Sequence, residues 1–164
     1  MLFKRPKNSL EGNPKIQLKL FKDKSDTADK KMFTCKKCKK TYSENELLES
    51  LSVCPFCNEH YKISARERLN IICDSVSFTE HYSELVSCNI LGFEGYDEKL
   101  ADARKQSKEN ESVVCGVCTI EGIKTAIFVM DPFFMMGSMG SVTGEKITRL
   151  FEYATDNSLP VVGY

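Results

Sequence analysis

The sequence predicts an α/β protein with a small metal-binding module ahead of its main domain, and three observations carry that reading. Cysteines stand in two tight pairs near the N-terminal end, capped amphipathic segments alternate with runs rich in Val and Ile, and the charge changes sign along the chain.

Cys35 and Cys38 form the first pair and Cys54 and Cys57 the second, in the pattern C-x2-C-x15-C-x2-C. Each short pair makes a knuckle whose two sulfurs meet at one corner of a tetrahedron, so four thiolates at this spacing have the ligand count and reach of a structural Zn2+ site. Two disulfides, or four unconnected core cysteines, are the other readings. Nothing at the N-terminus resembles a secretory signal, because the apolar stretch after Met1 is too short. The thiols are therefore expected to be reduced, in a cytoplasmic protein, and available to metal. Residues 33–62 are assigned as a zinc ribbon. Four sulfurs leave no open coordination position, so the ion holds the fold and does no chemistry.

Residues 1–40 contain thirteen Lys or Arg against four Asp or Glu, a net of +9, and residues 41–164 contain ten against nineteen, a net of −9. The overall charge of zero hides a dipole. Residues 1–32 read as a basic lead-in arm. A lysine-rich arm is ordinarily a solvated tail, and its other reading is a footprint for nucleic acid or an acidic partner. The longest apolar stretch, residues 126–136, is interrupted by Asp131 and Pro132 and falls short of the ~20 residues of a membrane helix. No internal repeat is present.

Within the ribbon, residues 43–51 place Leu47, Leu48 and Leu51 at helical spacing, although a strand-turn piece suits them equally. Ser64-Ala65-Arg66-Glu67 is a capping box, which predicts a helix over 65–74 with Leu69, Ile72 and Cys73 on one face. Gly92 and Gly95 break the chain, and Asp97 is expected to cap a second helix to about residue 108, with Leu100, Ala103 and Arg104 on one side. Residues 112–120 and 123–130 are Val/Ile-rich and meet at Glu121-Gly122, a hairpin signal. Cys115 and Cys118 lie inside the first of these strands. They would point to opposite faces, and they are assigned to the core, as are Cys73 and Cys88. His60 and His81 have no partner spacing that suggests catalysis.

The Gly/Ser-rich loop containing Gly137, Ser138, Met139, Gly140 and Ser141 leads into a helix whose apolar positions Ile147, Leu150, Phe151 and Ala154 follow i, i+3, i+4, i+7. Unpaired amides at such a start can approach a phosphate or a developing oxyanion closely. Asn157-Ser158 ends the helix, and Leu159-Pro160-Val161-Val162 begins a buried strand.

Taken together, the Val-Cys-Pro-Phe-Cys knuckle, the Ile-Ser-Ala-Arg-Glu-Arg-Leu that follows it, and residues 134–155 resemble the beta subunits of bacterial acetyl-coenzyme A carboxylase carboxyltransferases. The likeness runs from about Cys35 to Val162. It implies a crotonase-like (ClpP/crotonase) α/β domain over residues 63–164. It also implies an alpha-subunit partner in a two-plus-two assembly, a biotin carboxyl carrier protein and a biotin carboxylase. The activity it implies is transfer of the carboxyl group from carboxybiotin to acetyl-CoA, giving malonyl-CoA for fatty acid synthesis. Substrate binding falls on Gly137, Ser138, Met139, Gly140 and Ser141, and zinc on Cys35, Cys38, Cys54 and Cys57. The family's Gly-Gly-Ala oxyanion turn belongs after Val162 and is not among these residues. The domain is accordingly read as an incomplete, N-terminal portion with no catalytic residue assigned and with no activity expected from this chain alone. Two rival readings use the same residues: a zinc-ribbon module that binds nucleic acid, and an inactive remnant that docks on the alpha subunit.

Overall fold

The computed structural model describes residues 32–164. The basic arm assigned to residues 1–32 lies outside the described residues except for Met32, which already pairs within the ribbon. That ribbon begins with an antiparallel hairpin of β1 (Met32–Thr34) and β2 (Thr41–Ser43). It continues into α1 (Glu44–Glu49), whose start is closed by a capping box between Ser43 and Glu46. The capping box decides between helix and strand over 43–51. Of the three leucines only Leu47 packs into the ribbon core, while Leu48 and Leu51 are exposed, Leu51 lying past the helix end at positive φ.

The main domain is a four-stranded sheet in the order β3 (Thr79–Glu80), β4 (Val113–Ile120), β5 (Ile123–Met130), β6 (Val161–Gly163). β3, β4 and β5 are antiparallel, and β6 joins β5 in parallel after the crossover through α4 (Ser141–Asp156). Two apolar sets alternate along β4 and β5. Val114, Cys118, Ile127 and Val129 pack under α2 (Ala65–Ile72), together with Leu69 and Ala65, whereas Cys115 and Ala126 pack under α4 with Leu150 and Ala154. Helices cover both faces, which is why the strands read as continuous apolar runs rather than as an alternating pattern. Cys115 and Cys118 do diverge to opposite faces. Cys73 packs beside the first cluster, but Cys88 is exposed, in a loop that offers no core to enter.

Glu121 and Gly122 connect β4 to β5 at φ of 51° and 79°, the positive pair that a two-residue hairpin requires. The Asp74 carboxylate accepts from both of their amides, at 3.1 and 2.9 Å, and the Gly122 amide first among these donors holds that carboxyl below its usual range. The capping box at Ser64 and Glu67 forms as expected. The next helix, α3 (Tyr96–Ser107), begins earlier than the sequence suggests: its N-cap is Gly95 at φ 72°, and Asp97 sits in the first turn, accepting from Asn89. A side chain cannot cap from inside the helix, but a carboxylate there still faces the positive end of the helix dipole. Leu100 and Ala103 pack on Phe134.

One glycine has a steric cause that the sequence does not advertise. A Cβ on Gly116 would lie 2.1 Å from the Thr79 carbonyl oxygen, so β3 can pair with β4 only across a bare backbone. Gly116→Ala is expected to cost about 1–3 kcal/mol in chemical denaturation and to open the amides of residues 79–81 to hydrogen exchange, leaving β4–β5 protected.

Candidate substrate loop and metal centre

The two cysteine knuckles are built alike. The Cys35 amide donates to Lys40 O at 2.9 Å and the Lys39 amide to Cys35 O at 3.0 Å; the Cys54 amide donates to Glu59 O at 2.7 Å and the Asn58 amide to Cys54 O at 3.0 Å. Lys39 and Asn58 take the matching left-handed positions, at φ of 60° and 57°. Repeating one turn twice brings all four sulfurs within 4.8 Å of one another. Sulfurs from opposite knuckles approach to 3.7 Å for Cys35 and Cys57 and 3.8 Å for Cys38 and Cys54. A tetrahedral ion with metal–sulfur bonds of about 2.3 Å requires sulfur–sulfur edges of about 3.8 Å, so the cluster has the size to hold one. Burial pushes the Cys57 thiol up to about 12.

The loop after β5 is anchored by a buried polar network. Asp131, fully buried, accepts the Ala65 amide at 2.8 Å through Oδ2 and the Phe133 amide at 2.7 Å through Oδ1. One carboxylate thereby ties the start of α2 to the start of the loop. Met135, Met136 and Gly137 then all take positive φ, at 44°, 60° and 72°, a tight turn that leaves the Met136 side chain 85% exposed. From below, the Ser112 hydroxyl donates to Ser138 O at 2.7 Å and lies 2.7 Å from Thr143 Oγ1. Glu111 accepts from the Ser112 amide at 2.9 Å, from Thr143 Oγ1 at 3.3 Å, and from the Ser87 amide and hydroxyl.

The loop passes directly into α4 at Gly140, where no side chain caps the helix. The first amides of α4 are thus available to a ligand. Gly140 itself has an ordinary φ of −99°, and a Cβ there would meet nothing within 4 Å. Neither conformation nor packing within the chain demands glycine at that position, whereas close approach of a ligand to the backbone would.

The sequence placed the apolar face of α4 on Ile147, Leu150, Phe151 and Ala154. The buried face is Thr143, Lys146, Leu150 and Ala154, with Phe151 about half exposed. The stripe is rotated because the first two turns of α4 cover the polar network rather than the apolar core. Lys146, only 2% exposed, donates to Val113 O at 3.2 Å. Glu111, Ser112, Thr143 and Lys146 were thus not legible as site residues, since no motif marks a polar group that will be buried by a distant neighbour.

The profile of the family described as Carboxyl transferase domain matches residues 59–164. The chain belongs to this family. It is also similar to proteins named acetyl-coenzyme A carboxylase carboxyl transferase subunit beta. One, from Ruminiclostridium cellulolyticum, is 56% identical over 133 residues, covering 81% of this chain and 46% of that protein. Another, from Clostridioides difficile, is 44% identical over 140 residues, covering 85% and 49%. The chain spans about half the length of the curated relatives it matches. Among solved structures, the transcarboxylase 12S hexamer core with methylmalonyl-coenzyme A bound superposes with a TM-score of 0.51 at 28% identity, over 62% of this chain and 18% of that one. A single-chain long-chain acyl-CoA carboxylase gives 0.52 at 21% identity, over 63% and 11%, and shares the fold. The α/β architecture of this carboxyl transferase domain is therefore the crotonase-like one that the sequence suggested. None of the helices among the described residues is long and apolar enough to cross a membrane.

The cysteine cluster joins two knuckles that also meet through Lys37 and Glu59 at 2.8 Å and through the Tyr42 and Phe56 rings. Chelation is expected to expose residues 33–62 to protease while residues 63–164 stay protected. Unchanged cleavage after verified metal loss would contradict a structural ion.

Proposed function

We propose that this chain is the acetyl-CoA side of a biotin-dependent carboxyl transferase. In this reading it is the beta-type partner of an alpha subunit in a two-plus-two assembly, and the product is malonyl-CoA for fatty acid synthesis. The observation that carries the reading is the 56% identity, over 133 of 164 residues, to a protein of that name. The four cysteines are read as the ligands of one structural Zn2+, on the basis of their all-sulfur set and tetrahedral spacing.

Carboxybiotin, brought by a carrier protein that biotin carboxylase serves, supplies the carboxyl group. Residues of this chain bind and orient the acceptor. Removal of a proton from the methyl group beside a thioester moves charge onto the carbonyl oxygen, and preorganised amides at that oxygen are worth about 3–4 kcal/mol each. Gly137, Ser138, Met139, Gly140 and Ser141 are assigned to acetyl-CoA. Their backbone is fixed before a ligand arrives, because Ser112 holds the Ser138 carbonyl inward. The uncapped start of α4 offers amides to a phosphate or carbonyl oxygen. Positioning by backbone rather than by titrating side chains accords with the absence of a nucleophile or acid–base pair from the site assignment.

The chain is expected to bind acetyl-CoA, and malonyl-CoA is expected only when the alpha subunit, carboxylated biotin carrier and the oxyanion turn that the family places after Val162 are all supplied. Acetyl-CoA binding without turnover when all are supplied would favour the docking-remnant reading, and no acetyl-CoA binding would reject the assignment. Gly140→Val is expected to weaken acetyl-CoA binding by about 10-fold or more while lowering stability by only about 1 kcal/mol, the cost of a poor N-cap. Calorimetry of binding beside thermal unfolding separates the two effects.

A further inference from the structure

Tyr61 follows directly on His60, whose bridge to Val53 closes the second cysteine loop, and its amide donates to Ser52 O at 2.9 Å. The backbone is thereby fixed, and the ring packs against Cys35, Tyr42 and Cys54, each almost wholly buried. Its hydroxyl is buried without a hydrogen-bond partner, alone in this among the side-chain nitrogens and oxygens of the described residues. A phenylalanine would fill the same space without burying a polar group, so the hydroxyl calls for an acceptor. The ligand sulfurs beside its ring are those of Cys35 and Cys54. A neutral thiol accepts weakly, whereas binding an ion converts each of the four sulfurs to a thiolate. Groups that donate to metal-bound ligands orient them and tune their hold on the ion.

We propose that Tyr61 is a positioning residue of the metal centre, its buried hydroxyl donating to a metal-bound thiolate beside its ring, Cys35 or Cys54, so that loading of the ion and satisfaction of the hydroxyl are one event. The inference rests on the reading of the cysteine cluster as a zinc site. It gives the ribbon a means of holding the ion beyond its four ligands. The ion's departure would strand a buried donor as well as four sulfurs. The role belongs to the oxygen and not to the ring.

The test compares the full chain with Tyr61→Phe and, as a control, Tyr42→Phe. Zinc affinity is measured by competition with a chromogenic chelator, and the sulfur-to-metal charge-transfer band is recorded after cobalt substitution. Tyr61→Phe is expected to bind zinc about 10–100-fold more weakly and to move the band to lower energy, because an unbonded thiolate is the better electron donor. A hydroxyl that serves only packing would leave the band in place. Equal affinity with an unmoved band overturns the proposal. Should Tyr61→Phe fail to fold, the cadmium-loaded wild-type chain is examined by NMR. Scalar coupling between the metal and the Tyr61 hydroxyl proton supports the hydrogen bond, and its absence overturns it. A wild-type chain that takes up no stoichiometric metal would instead sink the zinc reading itself.

Discussion

The antiparallel pairing of β4 with β5 is the constraint on which the other elements depend. Eight residues on each strand stay in register from Val113↔Met130 to Ile120↔Ile123, through a turn that needs two positive φ values and an aspartate from another element to hold it. Because this ribbon of backbone is covered on both faces, it has two apolar surfaces to bury, one under α2 and one under α4. The short strands add to its edges, β3 where Gly116 leaves room and β6 where the crossover helix returns the chain. Removing the central pair would leave no surface for either helix to pack on.

The same pair places the polar network. Ser112 precedes β4 and Asp131 follows β5, and the Asp131 amide donates to Ser112 O at 2.8 Å where the strands end together. Everything that shapes the loop starts from that junction: Asp131 reaches the head of α2, Ser112 reaches Ser138, and Glu111 gathers Ser87, Ser112 and Thr143. Buried groups of this kind are costly unless each finds a partner, and a fully partnered set is stiff. Stiffness suits a loop whose proposed work is done by backbone amides, since such donors contribute most when they need not reorganise around the charge that develops.

The ribbon solves a different problem. Its core is a few side chains around Cys35, Tyr42 and Cys54, too small to stabilise independent folding by burial alone. Two identical knuckles bring the sulfurs together at the separation a tetrahedral ion needs, so metal binding can supply what the small core lacks.

The cysteine spacing, the capping box at Ser64, the hairpin at Glu121-Gly122 and the long helix after the Gly/Ser loop were all legible in the sequence, because each is a local pattern whose meaning depends on residues a few places apart. So was the divergence of Cys115 and Cys118, which follows from the two-residue period of a strand. The exposure of Cys88, the rotation of α4 that buries Lys146, and the meeting of Tyr61 with Cys35 were not. Each is a contact or a solvent exposure set by elements distant in the chain, and a polar side chain carries no mark of the partner it will find. The sequence by itself determined the long hairpin, the main helices and the cysteine knuckles; only the tertiary structure decided the short strands, which polar groups are buried and what they hold in place, because burial is a property of the packed whole and not of any one residue.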